Sequence, residues 1–231
     1  MNKKLIYCDL GTIEYKDAWS LQKSILDLRY KNGIDDVILL LEHPHTYTLG
    51  KTAHRNNLIG NSDYLEENGI SVYDIDRGGD ITYHGPGQIV GYPILDLNNW
   101  ELDTHKYLRA LEEILIRTCS DYGLTANRNP EFTGVWIEDR KIAAIGIKVS
   151  RWITMHGFAF NVNTDLNLFN GIIPCGIHDK EVTSLTREIK KDVDLEDVKS
   201  IMLKHVIEIF NYNNVEKLDV DKIFELSLIP L

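Results

Sequence analysis

Three β-patterned runs follow one another in the middle of this chain with almost nothing between them. That succession constrains the fold more than any other feature. Residues 134–137 run into a turn-like Glu138-Asp139-Arg140, then into residues 141–149, and residues 152–162 begin two residues later. Runs joined this tightly pair as neighbours, which predicts a hairpin extended into a meander. Further runs of strand type lie at 37–41, 70–75 and 89–94, and Cys8 falls in another near the N-terminus. Helical spacing is read over 14–31 (Ala18, Trp19, Ile25 and Leu26 inward), 63–68, and 104–122 (Leu108, Leu111, Leu115, Cys119 and Tyr122 on one stripe). A fourth helix starts at an Asp194 cap and carries Leu195, Val198, Met202, His205 and Ile209. Helices toward the two ends and strands in the centre predict an α+β fold: a mixed, largely antiparallel sheet flanked by helices, not strict βαβ alternation. No repeat or linker interrupts the 231 residues, so one domain spanning 1–231 is expected.

The formal net charge of −10 argues against nucleic acid as a partner. No apolar run approaches the length of a membrane span. The N-terminal run is broken at Asp9 and stopped at Gly11, too short for a signal-peptide core, so a cytoplasmic protein with no membrane partner is expected. Three cysteines without a CxxC pair predict neither a disulfide framework nor a cysteine metal site. His43-Pro44-His45 lacks a third ligand, and no metal is expected.

Three stretches carry chemistry. The segment from Arg77 to Gln88 packs four glycines and a proline among Arg, Asp, Thr, Tyr, His and Gln. Glycines let a backbone pass close to a ligand, and functional side chains between them suit a binding loop, although an ordinary surface turn has the same composition. It holds neither phosphate-loop pattern. In the second stretch, strand alternation sets Lys141 on one face with Ala143, Ile145 and Ile147. If that face is apolar, loss of water favours the neutral amine, a general base; otherwise Lys141 is a solvated turn lysine. In the third, Pro174 and Gly176 bracket Cys175 in a loop, where a thiol is reachable. Cys8 and Cys119 read as small core hydrophobes. His84 and His156 each adjoin a glycine, and either is an alternative base for a Cys–His pair.

Taken together these stretches resemble the lipoyl(octanoyl) transferase family. The segment Arg77-Gly78-Gly79-Asp80-Ile81-Thr82-Tyr83-His84, with Gly85-Pro86-Gly87-Gln88 and Tyr92 after it, is similar to the family signature. Glu42-His43-Pro44 with Thr48 and Gly50, Gly134-Val135-Trp136, Lys141 to Gly146, His156 to Asn163, Ile173 to Gly176 and Val182 to Leu185 fall in the family's order. The likeness runs from about Leu5 to Phe210 with no departure at a key position.

The resemblance implies a fold shared with biotin and lipoate protein ligases. It implies Cys175 as the acyl-accepting nucleophile and Lys141 as the base that activates it. One substrate wall is implied at Arg77, Gly78, Gly79, Asp80, Ile81, Thr82, Tyr83 and His84, and the others at Ala144, Ile145, Gly146 and at Gly157, Phe158, Ala159. An apolar slot for the acyl tail would use Ile145, Phe158 and Tyr83, and an acidic carrier would meet Lys148 and Arg151. The implied reaction is octanoyl transfer from octanoyl-acyl carrier protein to a lysine of lipoyl domains or a glycine-cleavage H-type protein, the first step of endogenous protein lipoylation, without a cofactor. Transfer between two lipoyl-domain proteins, ATP-dependent lipoate ligation, thioester hydrolysis and simple binding of an acylated carrier stay open as alternatives.

Overall fold

The structure is a computed structural model and describes residues 3–31, 33–174 and 181–228. Its elements run β1 (Lys4–Thr12), α1 (Tyr15–Tyr30), β2 (Asp36–Glu42), β3 (Thr46–Leu49), α2 (Ser62–Glu67), β4 (Ser71–Asp74), β5 (Ile81–His84) and β6 (Gln88–Ile94). After these come α3 (Thr104–Asp121), β7 (Asn127–Arg128), β8 (Val135–Ile137), β9 (Arg140–Ser150), β10 (Ile153–Asn161), β11 (Glu181–Val182), α4 (Leu185–Ile189), α5 (Leu195–Phe210), β12 (Asn214–Lys217) and α6 (Val220–Leu228).

The larger sheet has the order β12-β1-β2-β6-β10-β9-β8-β7, with β11 added to β9. The expected meander β8-β9-β10 is part of its antiparallel run, which extends from β2 to β7 in the sheet order. The β1–β2 and β1–β12 pairs are parallel, so the sheet is mixed. β2 reads Val-Ile-Leu-Leu-Leu because both its faces are covered: Ile38 and Leu40 join a core under α3 and α5, while Val37, Leu39 and Leu41 join another under α1 and α6. The helices start where their capping residues stand. Asp103 accepts from the N–H groups of His105 and Lys106, and Asp194 from that of Glu196. No helix among the described residues is long and apolar enough to cross a membrane.

Three features differ from the sequence reading. A second sheet, β4-β3-β5, packs its own small core of Tyr47, Leu49, Ile81, Tyr83 and Phe169. The glycine-rich segment is therefore not one loop, because Ile81–His84 is a buried strand inside it. Helices α4 and α6 were not anticipated. The alternation expected for Lys141 is broken by a register shift. Val135 opposes Ala143 but Trp136 opposes Lys141, so β9 carries one extra residue there. Ala143 stays in the core with Val135 and Ile142, while Lys141 turns to the side of Ala144.

Candidate active site

The seam between the two sheets encloses a pocket of about 520 Å³, counting its open mouth. Arg77, Gly79, Asp80, Ile81, Thr82 and His84 line it from one side. Lys141, Ala144, Ile145 and Gly146 of β9, and Gly157, Phe158 and Ala159 of β10, line it from the other. Tyr15 of α1, Tyr92 of β6, Thr133 and His156 complete it. Of the residues expected at a site, two described ones lie elsewhere. Gly78 borders an adjoining groove, and Tyr83 points away, its hydroxyl on His45 Nδ1 at 2.8 Å and its ring against Phe169. Alternation along β5 sends Thr82 and His84 to the pocket and Tyr83 to the small core, where Ile81 packs too while its other side borders the pocket, so Tyr83 does not line the slot. Tyr15 and Thr133 carried no signal in the sequence; Tyr92 lies within the family motif but reads as a core aromatic.

Glycine makes this packing possible. A Cβ at Gly146 would stand 2.8 Å from Arg77 Cδ and 3.0 Å from Gly78 O, so the Arg77 stem crosses β9 in contact with bare backbone. The buried guanidinium then donates to Thr48 O (2.7 Å), Thr48 Oγ1 (2.9 Å) and Gly78 O (3.0 Å). Asp80 is equally committed. One oxygen accepts from the N–H groups of Ile81 and His54, and the other from Asn57 Nδ2 at 2.5 Å. Asn57 O in turn accepts from Ile173 N–H at 2.8 Å, which ties the glycine-rich segment to the chain just before position 175.

Burial disfavours the charged form of His43, His84 and His156. His84 sits well below the usual imidazole range because it is cut off from water; its Nδ1–H donates to Gln88 Oε1 at 2.9 Å. Gln88 is fixed by donating to Tyr83 O and Asn161 Oδ1. Burial lowers His43 to about 4; it donates to Ile13 O and accepts from Tyr92 OH. His156 is 1% exposed and holds a left-handed backbone at φ 60°. Its Nε2 faces Asp76 Oδ1 at 2.8 Å, yet burial outweighs that carboxylate and lowers the imidazole. Asp76 is held well below the usual carboxylate range, first by the hydrogen bond from His156 and then by Lys148 Nζ at 2.5 Å. Lys148, expected on a carrier-docking patch, is thus tied to the site's scaffold, and Arg151 lies over the Tyr30 ring.

Lys141 is 7% exposed, with Nζ 4.8 Å from the centre of the Trp136 ring. Both described chain ends that flank position 175 come to it. Pro174 lines a small cavity together with Lys141, Ala144 and Ala159. On the other side Val182 pairs with Lys141 in register, and Thr183 N–H donates to Lys141 O at 2.9 Å. Cys175 itself lies outside the described residues. The thiols of Cys8 and Cys119 are buried, and burial pushes them up to about 11 and about 12, which makes both poor nucleophiles.

The family model for the lipoyl protein ligase A/B catalytic domain matches residues 14–207. The chain belongs to that family. An octanoyltransferase of Flavobacterium johnsoniae is 51% identical over 227 residues, covering 91% of this chain and 98% of the relative. One of Christiangramia forsetii is 50% identical, covering 91% and 97%. Among solved structures, a lipoate-protein ligase A bound with ATP superposes with a TM-score of 0.79 over 98% of this chain and 93% of that one. At 16% identity that likeness is one of fold, and it agrees with the mixed sheet flanked by helices expected for lipoate protein ligases.

Proposed function

We propose that this family member is an octanoyltransferase that takes an octanoyl group from an acyl carrier protein onto Cys175 and passes it to a lysine of a lipoyl domain. The curated relatives' names support octanoyl as the group moved. The observation that carries the chemistry is the convergence on Lys141: the residue before position 175 shares a cavity with this buried amine, and the strand after the segment pairs with it.

In the first half-reaction the amine of Lys141 takes the thiol proton and the sulfur attacks the thioester carbonyl. A new C–S bond to Cys175 forms, the bond to the carrier's sulfur breaks, and Lys141 returns the proton to the departing thiolate. In the second, the acceptor's amine attacks the acyl-enzyme. A C–N bond forms, the C–S bond to Cys175 breaks, and Lys141 relays the amine's proton to the thiolate. The acyl tail would lie along the slot beside Ala144, Ile145, Phe158 and Ala159. Burying about six methylenes at ~0.8 kcal/mol each contributes roughly 5 kcal/mol to binding.

His156 with Asp76 is the alternative base and His84 a weaker one, since His84 already spends Nδ1 on Gln88. Activity surviving in Lys141→Ala but lost in His156→Ala would transfer the role. ATP-dependent ligation is the second reading, because the superposing ligase was solved with ATP. It is tested by incubating the protein with octanoate and ATP: octanoyl-adenylate would favour it, and its absence alongside transfer from the carrier thioester favours the cysteine route.

A further inference from the structure

A second cavity meets the pocket at Lys141. This groove is larger, about 1010 Å³ including its open side, and it shares Gly79, Asp80, Thr133, Lys141, Ile145 and Gly146 with the acyl pocket. Beyond the junction it runs outward between Thr52, His54 and Gly78 on one bank and Leu108, Glu131 and Phe132 on the other. The pocket's far end is closed by buried Tyr15, Tyr92 and His156. A tail in the pocket and a side chain in the groove would therefore meet where the two cavities share Lys141.

The groove's chemistry selects its occupant. Leu108, Phe132, Ile145 and Ile147 give it apolar flanks suited to a chain of methylenes. Asp80 is spent on Asn57 and two backbone N–H groups. Glu131 is exposed and forms no ion pair with any described residue, so its charge is available to a ligand. It is also positioned: Asn129 Oδ1 accepts from the N–H groups of Glu131 and Phe132, and Phe132 O accepts from Trp136 Nε1, the ring over which Lys141 lies. A groove with apolar flanks for the methylenes, polar groups between them and a carboxylate for the ammonium fits a lysine side chain. A phosphate-bearing carrier arm would bring an anion past Glu131.

We propose that this groove is the entrance for the acceptor lysine, distinct from the donor's path, with Glu131 as the residue that attracts its ammonium. The inference rests on the octanoyltransferase reading above. The two half-reactions test it separately by rapid quench: loading of the enzyme from octanoyl carrier protein, then transfer from the isolated octanoyl-enzyme to an apo lipoyl domain. Glu131→Lys should slow transfer by about tenfold at low salt, with the deficit shrinking in high salt, and should leave loading unchanged. Thr52→Trp, which narrows the exposed mouth, should slow transfer at least as much at any salt, again with normal loading. Transfer at the wild-type rate in both variants, or loading slowed as much as transfer, would overturn the separate entrance. A wild-type protein that takes no octanoyl at all would remove the underlying reaction, a result distinct from either.

Discussion

Lys141 is the residue at which the cavities of the site meet. It is nearly enclosed, it borders the pocket, the groove and the small cavity at Pro174, and its carbonyl and strand partners fix its backbone. Replacing it by Ala should lower transfer by about two to four decades while leaving the fold intact, measured as kcat/KM beside a thermal unfolding midpoint. A second residue-scale consequence concerns acid stability. His43 takes up a proton in the folded protein only near pH 4, whereas its ordinary value is 6.5. Below pH 6.5 the unfolded chain binds a proton that the folded protein refuses, so stability is full above that value and falls as the pH drops toward 4. The loss should reach about 3 kcal/mol across that window. Denaturant midpoints at pH 7 and pH 4.5 measure it, and His43→Asn should shrink the difference, leaving the share that the buried His84 and His156 contribute with the same sign.

At the scale of elements, β9 does most of the positioning. Its bulge at Lys141 turns the amine toward the site, and its bare stretch at Gly146 lets Arg77 and Gly78 lie across it. Gly146→Val should push Arg77 off its Thr48 contacts and cut transfer more than tenfold, together with a lower unfolding midpoint. Ala159→Leu fills the slot from β10. It should move the preference from octanoyl toward hexanoyl carrier by up to about a factor of ten per methylene, read as a ratio of kcat/KM values. The meander that holds these residues was legible because β8, β9 and β10 are joined by turns too short for any other pairing. Helix α3 was legible from its stripe, although Leu108 at its start lines the groove instead of the core. Of the second sheet only β4 was legible, inside the run at 70–75. Its strands are four residues long, and Ile81–His84 sits among glycines and a proline that read as a loop. Nor does alternation reveal a bulge, so the face of Lys141 could not be read from its spacing.

At the scale of the whole molecule, the site exists because residues of two sheets line one pocket, which no single element specifies. Residues 77–84, 141–146 and 156–159, distant in sequence, become opposite walls of one seam. The motifs named most of those walls, and the fold supplied the floor at Tyr15 and Tyr92 and the groove beyond Thr133. Under the proposed chemistry the molecule should alternate between a free and an acylated state. The most direct test is the intact mass of the protein after mixing with octanoyl carrier protein, before and after addition of an apo lipoyl domain. The expected result is a gain of one octanoyl group, mapped to Cys175 and absent from Cys175→Ser, that disappears as the lipoyl domain gains it. Octanoylation of the lipoyl domain by Cys175→Ser at an undiminished rate, or an adduct on another residue that is chased just as fast, would contradict the account.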